Sequence, residues 1–193
     1  VAGALAARAR RGALKSGARV LLALLLLASF AASGAAAVFI VRHAEKRDPK
    51  DDKSTLSARG FSRARDLRRA LASTPLKAVY CTEYERTRQT AAPTAAAHGL
   101  APIETPSDDV KALASRLRAL PEDADVLVVG HSDTIPELLA ELGVSTRAAI
   151  APNDYDNLFV VTPRASGAPE FHWLHYGAAS RPAADAPAMK RRP

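Results

Sequence analysis

Short, unbroken apolar runs recur along this chain, and between them apolar residues return every three or four positions. Val38-Phe39-Ile40-Val41 is the first such run, residues 76–82 around Ala78-Val79-Tyr80 hold the second, and Val126-Leu127-Val128-Val129 is the third. Each is short and rich in β-branched residues. The first and third show no polar alternation, which is the pattern of a strand buried on both faces. A helix is expected after Ser57, which can cap it, with Phe61, Ala64, Leu67 and Leu71 on its apolar side and Pro75 beyond its end. Residues 86–98 are helical in pattern, with Pro93 expected to kink the helix or mark a late start and Gly99 just past its C-terminus. Ser107 can cap a third helix, with Asp108 and Asp109 in its first turn and Val110, Leu113, Leu117 and Leu120 as its stripe. A fourth follows His131, with Ile135, Leu138, Leu139 and Leu142 on one face and Gly143 as its stop; Thr134 and Glu137 fit a capping box. Residues 158–162 and 170–176 read as two last strands. Strands that alternate with helices predict an α/β fold, a three-layer α/β/α sandwich with a mostly parallel central sheet.

The two ends of the chain read differently. Residues 1–19 are basic and alanine-rich, residues 20–30 are apolar (VLLALLLLASF), and AASGAAA follows. That order is a secretory signal peptide with cleavage between about Ser33 and Ala37. The competing reading is an uncleaved membrane anchor, although the apolar stretch is barely long enough to span. The expected organisation is a leader over 1–37, one folded domain over 38–177, and a disordered Ala/Pro-rich tail over 178–193. The protein is then exported, periplasmic or secreted, and meets a membrane only if the leader stays attached.

Charge changes the picture once it is located. The chain of 193 residues carries a formal charge of +7. Arg8, Arg10, Arg11, Lys15 and Arg19 lie in the leader, and without them 22 basic residues face 20 acidic ones. The excess is therefore not a nucleic-acid-binding face, and the few aromatics are not interleaved with basic residues. Lys190-Arg191-Arg192 is too small a cluster to imply a polyanionic partner. Cys81 is the only cysteine, so neither an internal disulfide nor a cysteine zinc site can form. His172 and His175 sit three apart on an expected strand, on opposite faces, and cannot chelate together. His98 near a helix end reads as a surface residue. The sequence sets no oligomeric state.

The candidate chemistry lies where strands end. Arg42-His43 closes the first strand, His131 closes the third, and Arg86 follows the second by a few residues. In parallel sheets ligands bind beyond the carboxyl ends of the strands, so these four side chains converge by topology. Arginine binds phosphate oxygens through a planar fork that stays charged. A neutral imidazole can be a nucleophile, and a second, protonated one can donate to a phosphate oxygen. The helix after His131 adds backbone N–H groups and a positive dipole end.

The residues themselves resemble a family. Arg42-His43-Ala44-Glu45-Lys46 is similar to the RHG/RHA signature of the histidine phosphatase superfamily, phosphoglycerate-mutase-like branch 1. Thr82 through Arg86-Thr87 to Thr90-Ala91 resembles that branch's S-x-x-x-R-A-x-x-T-A segment. Val129-Gly130-His131-Ser132 resembles its second-histidine segment, and Leu56-Ser57-Ala58-Arg59-Gly60 with Arg63-Ala64 its helix entry. The resemblance runs from about Phe39 to Tyr176. It implies a phosphoglycerate-mutase-like fold and a phosphatase acting on a small phosphorylated substrate. It also implies that His43 forms a phosphohistidine, that Arg42, Arg86 and His131 hold the phosphoryl oxygens, and that neither metal nor organic cofactor takes part. Ala44 and Thr87 depart from the family's usual glycine and alanine.

The general acid is the open position. The family's glutamate and its downstream Gly-x-x-E-G-like stretch are absent, which favours a compact phosphatase over a phosphoglycerate-type mutase. Asp133, two residues past His131, is the leading candidate; Asp109, Asp108 and Glu104 are weaker ones. Glu45, Lys46 and Ser132 are candidate substrate contacts, with Glu45 and Lys46 equally readable as a solvated loop pair. A phosphate-binding adaptor without turnover is the remaining alternative, and it would need the cations but not His43.

Overall fold

The structure, a computed structural model, describes residues 36–180 apart from Arg147 and Ala165. All but two residues of the expected leader, all but three of the expected tail, and Lys190-Arg191-Arg192 lie outside the described residues; Ala36 is buried and Ala37 is hydrogen-bonded to Asp125 and Val126. The elements run β1 (Val38–Arg42), α1 (Ala58–Ala70), β2 (Ala78–Thr82), α2 (Glu85–Ala97), β3 (Pro102–Thr105), α3 (Val110–Arg118), β4 (Val126–Gly130), α4 (Thr134–Glu141), β5 (Asn157–Thr162) and β6 (Glu170–His175). They form a mixed α/β fold with one six-stranded sheet in the order β3-β2-β4-β1-β5-β6. The first four strands in that order are parallel, and β5 and β6 continue the sheet antiparallel.

Apolar runs without alternation supply both faces of the sheet. Leu127 and Val129 of β4 face Leu67 and Leu71 of α1 and Ala91 and Ala95 of α2. Val126 and Val128 face Ala114 and Leu117 of α3 and Leu138 and Leu139 of α4. Each fully buried aliphatic side chain contributes about 1.5–3 kcal/mol relative to exposure. The central strands, covered on both sides, are therefore the most strongly held.

Several local expectations are corrected. β3 has no counterpart in the apolar pattern: four residues opening with a proline, at the sheet edge, are too short for a period and carry a strand-breaking residue. Pro93 neither delays α2 nor ends it, because Ala91, Thr94 and Ala95 around it are buried and hold the helix by packing. Asp109, not Ser107, caps α3, accepting from the Ala112 N–H at 3.0 Å. Ser107 instead donates its N–H and hydroxyl to Glu83. Asp133 caps α4, which displaces the Thr134–Glu137 capping box. The tail does not break free at 178. Arg59 donates to the Ala179 carbonyl, the Ser180 hydroxyl accepts from the Tyr155 N–H, and the Ser180 N–H donates to Asp156.

Ser57 caps α1 as expected, accepting from the Gly60 N–H. Phe61, placed on the buried side by pattern, faces solvent, and Arg63 is buried instead at 2% exposure. Arg63 is tolerated there because its Nε and Nη2 donate to Glu45 at 2.8–3.0 Å and its Nη1 to the Tyr176 carbonyl. Burial works against its charge, but Glu45 more than offsets this and raises its pKa. Gly60 lets α1 approach the segment after His43: a Cβ there would lie 2.3 Å from the Glu45 carbonyl oxygen. Gly60→Ala must therefore push α1 away from backbone that cannot yield. The expected loss is about 1–3 kcal/mol, read as a lowered Tm with the far-UV spectrum unchanged; an unaltered Tm would mean that α1 does not need this close approach.

Candidate active site

Strand register assembles the site. β1 and β4 pair in parallel with Arg42 opposite Gly130, and the His43 N–H donates to the Gly130 carbonyl at 2.9 Å. The next residue on each strand is a histidine, so the rings of His43 and His131 lie 5.4 Å apart between centroids. β2 runs beside β4, and Thr82 at its end meets His131. Arg86, in the first turn of α2, reaches back to the same place, its Nη2 lying 3.4 Å from His131 Nδ1. The structure thus brings Arg42, His43, Arg86 and His131 together, all of them buried.

Each imidazole is held in one orientation. His43 Nδ1 lies 2.8 Å from the Ala44 carbonyl, which can only accept, so Nδ1 carries the proton and Nε2 keeps its lone pair. Burial and the neighbouring Arg42 charge push the His43 pKa down to about 2. The ring is neutral at ordinary pH. His131 Nε2 is 2.8 Å from the Thr82 hydroxyl, which is 2.9 Å from that of Thr87. Thr87 lies 2.7 Å from the Tyr84 carbonyl, a pure acceptor that fixes the direction of donation along the chain. His131 Nε2 therefore donates, and Nδ1 faces Arg86. Burial and the Arg86 charge bring the His131 pKa down to about 4. The backbone after His43 is fixed as well, since the Ala44 N–H donates to Thr90, whose hydroxyl donates to the Arg86 carbonyl.

The two arginines are buried without a carboxylate partner among the described residues. Arg42 Nη1 donates to the carbonyls of Ala151, Pro152 and Asp154 at 2.8–3.2 Å. Arg86 Nη1 donates to the Asp52 carbonyl. The Nε of each is buried and has no hydrogen-bond partner among the described residues. Burial lowers both guanidinium pKa values, and the Arg86 charge adds to the effect on Arg42. Two desolvated cations and two neutral imidazoles make a pocket whose missing counter-charge is an anion with several acceptor oxygens. Among the described residues no group of His, Cys, Asp or Glu is arranged to hold a metal ion. His172 and His175 lie against Glu170 and Asp156 respectively.

The other sequence candidates divide. Asp133 stands at the rim, exposed, its carboxylate accepting from the Thr134 N–H at 3.1 Å. Its charge partly offsets the lowering that burial imposes on the pKa of Arg42, Arg86 and His131. Ser132 is buried next to His131. Glu45 does not join the pocket, because its oxygens are held by Arg63 and Arg59. Lys46 turns to the rim loop, where its Nζ donates to the Asp51 carbonyl and lies 3.8 Å from Asp52. Glu104 is taken by Arg88 at 2.7 and 2.8 Å, a pairing that keeps its pKa below the usual carboxylate range. Asp109 is a helix cap. Two contributors carry no sequence signal: Tyr155 lies under Arg42 and Tyr84 under Arg86, with 4.3 and 4.2 Å from ring centroid to guanidinium carbon. Thr82 and Thr87 stand inside a recognised motif, but nothing in their spacing announces a relay to His131.

Comparison with known proteins agrees with this geometry. The model of the histidine phosphatase superfamily (branch 1) matches residues 38–108, which include Arg42, His43 and Arg86. The structure is similar to that of the protein histidine phosphatase SixA complexed with tungstate, with a TM-score of 0.60 and 25% identity over 72% of this chain and 96% of that one. It shares its fold with mycobacterial glucosyl-3-phosphoglycerate phosphatase (TM-score 0.59, 14% identity, 76% of this chain and 100% of that one). It also shares it with the α-ribazole phosphatase of Shigella flexneri (TM-score 0.58, 16% identity, 67% and 91%). A comparison with curated protein sequences gives no match. The matched segment carries the first three pocket residues and the fold places the fourth just past β4; over residues 38–108 the chain matches the histidine phosphatase superfamily, branch 1, and its fold is that of histidine phosphatases.

Proposed function

We propose that the protein is a phosphomonoester phosphatase that works through a phosphohistidine on His43. The observation that carries this reading is the pair of buried, carboxylate-free guanidinium groups beside an imidazole held neutral with Nε2 unprotonated. Phosphoryl transfer needs charge stabilisation and positioning more than covalent chemistry from the protein. Arg42 and Arg86 supply the first, with His131 holding Arg86 through Nδ1, and the Ala44 carbonyl supplies the second by fixing the His43 ring.

In the first step Nε2 of His43 attacks phosphorus and the bond to the leaving oxygen breaks. In the second, water attacks the phosphohistidine, the N–P bond breaks, and inorganic phosphate leaves. The leaving oxygen requires a proton in the first step. Asp133 is the proposed donor. Although it also caps α4, its charge acts on Arg42, Arg86 and His131, whereas Glu104 is held by Arg88 and no such influence comes from Asp109. The commitment of Glu104, with the absence of the family's glutamate stretch, favours a phosphatase over a mutase. The substrate class is a small phosphorylated compound, and the name of SixA adds phosphorylated histidine of a protein. No nucleic acid is involved.

Export is the accompanying proposal and rests on the leader sequence alone. N-terminal sequencing of the protein from its native host should begin between about Ser33 and Ala37; an intact leader on membrane-bound protein would favour an anchor. Rapid-quench labelling with a 32P-aryl phosphate should trap an acid-labile phosphohistidine that is absent from His43→Ala. Phosphate on serine, or on no residue of an active enzyme, would overturn the mechanism, and a protein that binds phosphate but turns over no ester would be an adaptor. Asp133→Asn should slow alkyl phosphates much more than aryl phosphates with electron-withdrawing groups, which need the proton less. Equal slowing of both would reduce Asp133 to its capping role.

A further inference from the structure

We propose that Tyr155 and Tyr84 are positioning residues that hold Arg42 and Arg86 by their ring faces and leave the guanidinium edges free for the phosphoryl oxygens. The proposal rests on the phosphatase reading for its turnover measurements, but not for its binding measurements.

The two halves of the pocket are built alike. Tyr155 lies under Arg42 at 4.3 Å and 6.0 Å from the His43 ring. Tyr84 lies under Arg86 at 4.2 Å and 5.1 Å from the His131 ring, edge-on at 81°. Each tyrosine therefore spans one arginine and one histidine. Neither phenol oxygen makes a hydrogen bond within the described residues, and both side chains are half-buried, so the ring and not the hydroxyl is the part in use.

A ring suits this position for a physical reason. A guanidinium directs its N–H groups outward in its own plane and has none on its faces. A carboxylate partner would take those in-plane donors and cancel the charge. The negative face of an aromatic ring attracts the cation without touching any donor. One Nη of each arginine is tethered to backbone carbonyls, and the ring fixes the plane. The remaining freedom, rotation about the tether, is opposed by the ring face that lies 4.2–4.3 Å from each guanidinium carbon. With Nη1 tethered and Nε buried, the in-plane donor left to meet an anion is Nη2 of each arginine.

The test measures the dissociation constant of inorganic phosphate by calorimetry and kcat/KM with an aryl phosphate, in the full chain. Tyr155→Phe and Tyr84→Phe should stay within about twofold of the parent. Leucine at either position should weaken both quantities about 3- to 30-fold, the range of a partly desolvated cation–π contact. Trifluorophenylalanine at position 155, which keeps the shape but depletes the ring's negative face, should behave like leucine even if the leucine variant fails to fold. In an Arg42→Gln background the Tyr155 substitutions should have no further effect, which a merely structural tyrosine would not show. Losses with phenylalanine equal to those with leucine would assign the work to the phenol and overturn the proposal. So would losses that persist undiminished without Arg42. Phosphate binding that follows this pattern in a protein without turnover would uphold the positioning role while removing the phosphatase reading.

Discussion

The parallel pairing of β1 with β4 is the constraint on which the rest of the molecule depends. It sets Arg42 opposite Gly130, and because the strands run the same way, their next residues emerge together at one edge. Both strands are covered on both faces, so a slip of one residue would turn two full sets of core side chains toward the wrong layer. The 5.4 Å between His43 and His131 is in this sense a property of the core. β2 then brings Thr82 to His131, and the short turn into α2 returns Arg86 to the same point.

What this assembly holds is charge that no carboxylate among the described residues pairs with directly. Two guanidinium groups are desolvated, their tethered N–H groups are met by backbone carbonyls, and nearby carboxylates act only at a distance, while Glu45 is held by Arg63, Glu104 by Arg88 and Asp109 by a helix end. The same burial that costs the arginines part of their solvation keeps His43 unprotonated. One cause, exclusion of water from the strand ends, thus gives both the cationic walls of the pocket and the neutral imidazole between them.

Much of this was legible in the chain. Apolar runs without alternation marked β1 and β4, and strand ends followed by Arg-His and Gly-His located the pocket, because those features depend on local pattern and on the one rule that ligands sit at carboxyl ends. What pattern could not resolve depends on long-range pairing. Arg63 is buried because Glu45 lies eighteen positions earlier in the chain, and Phe61 faces solvent as a consequence. Tyr155 comes from a loop more than a hundred residues after Arg42, with no period or motif to link them. β3 is short, proline-led and peripheral, and Ser107 serves Glu83 in preference to its own helix. The helix caps go to Asp109 and Asp133, two residues and one residue away from the expected hydroxyls, since a nearby aspartate competes for the same N–H groups.

The rim of the pocket has one further property. Arg42 grips the segment 151–154 through three main-chain carbonyls, and Arg86 grips the segment around Asp52 in the same way. A carbonyl is common to all twenty amino acids. The side chains of these two loops are accordingly free to be exchanged without disturbing the arginines they are fastened to. Substitution can therefore reshape the rim of the pocket while the placing of Arg42 and Arg86 stays constant, so that one scaffold can present different surfaces around the same pair of cations.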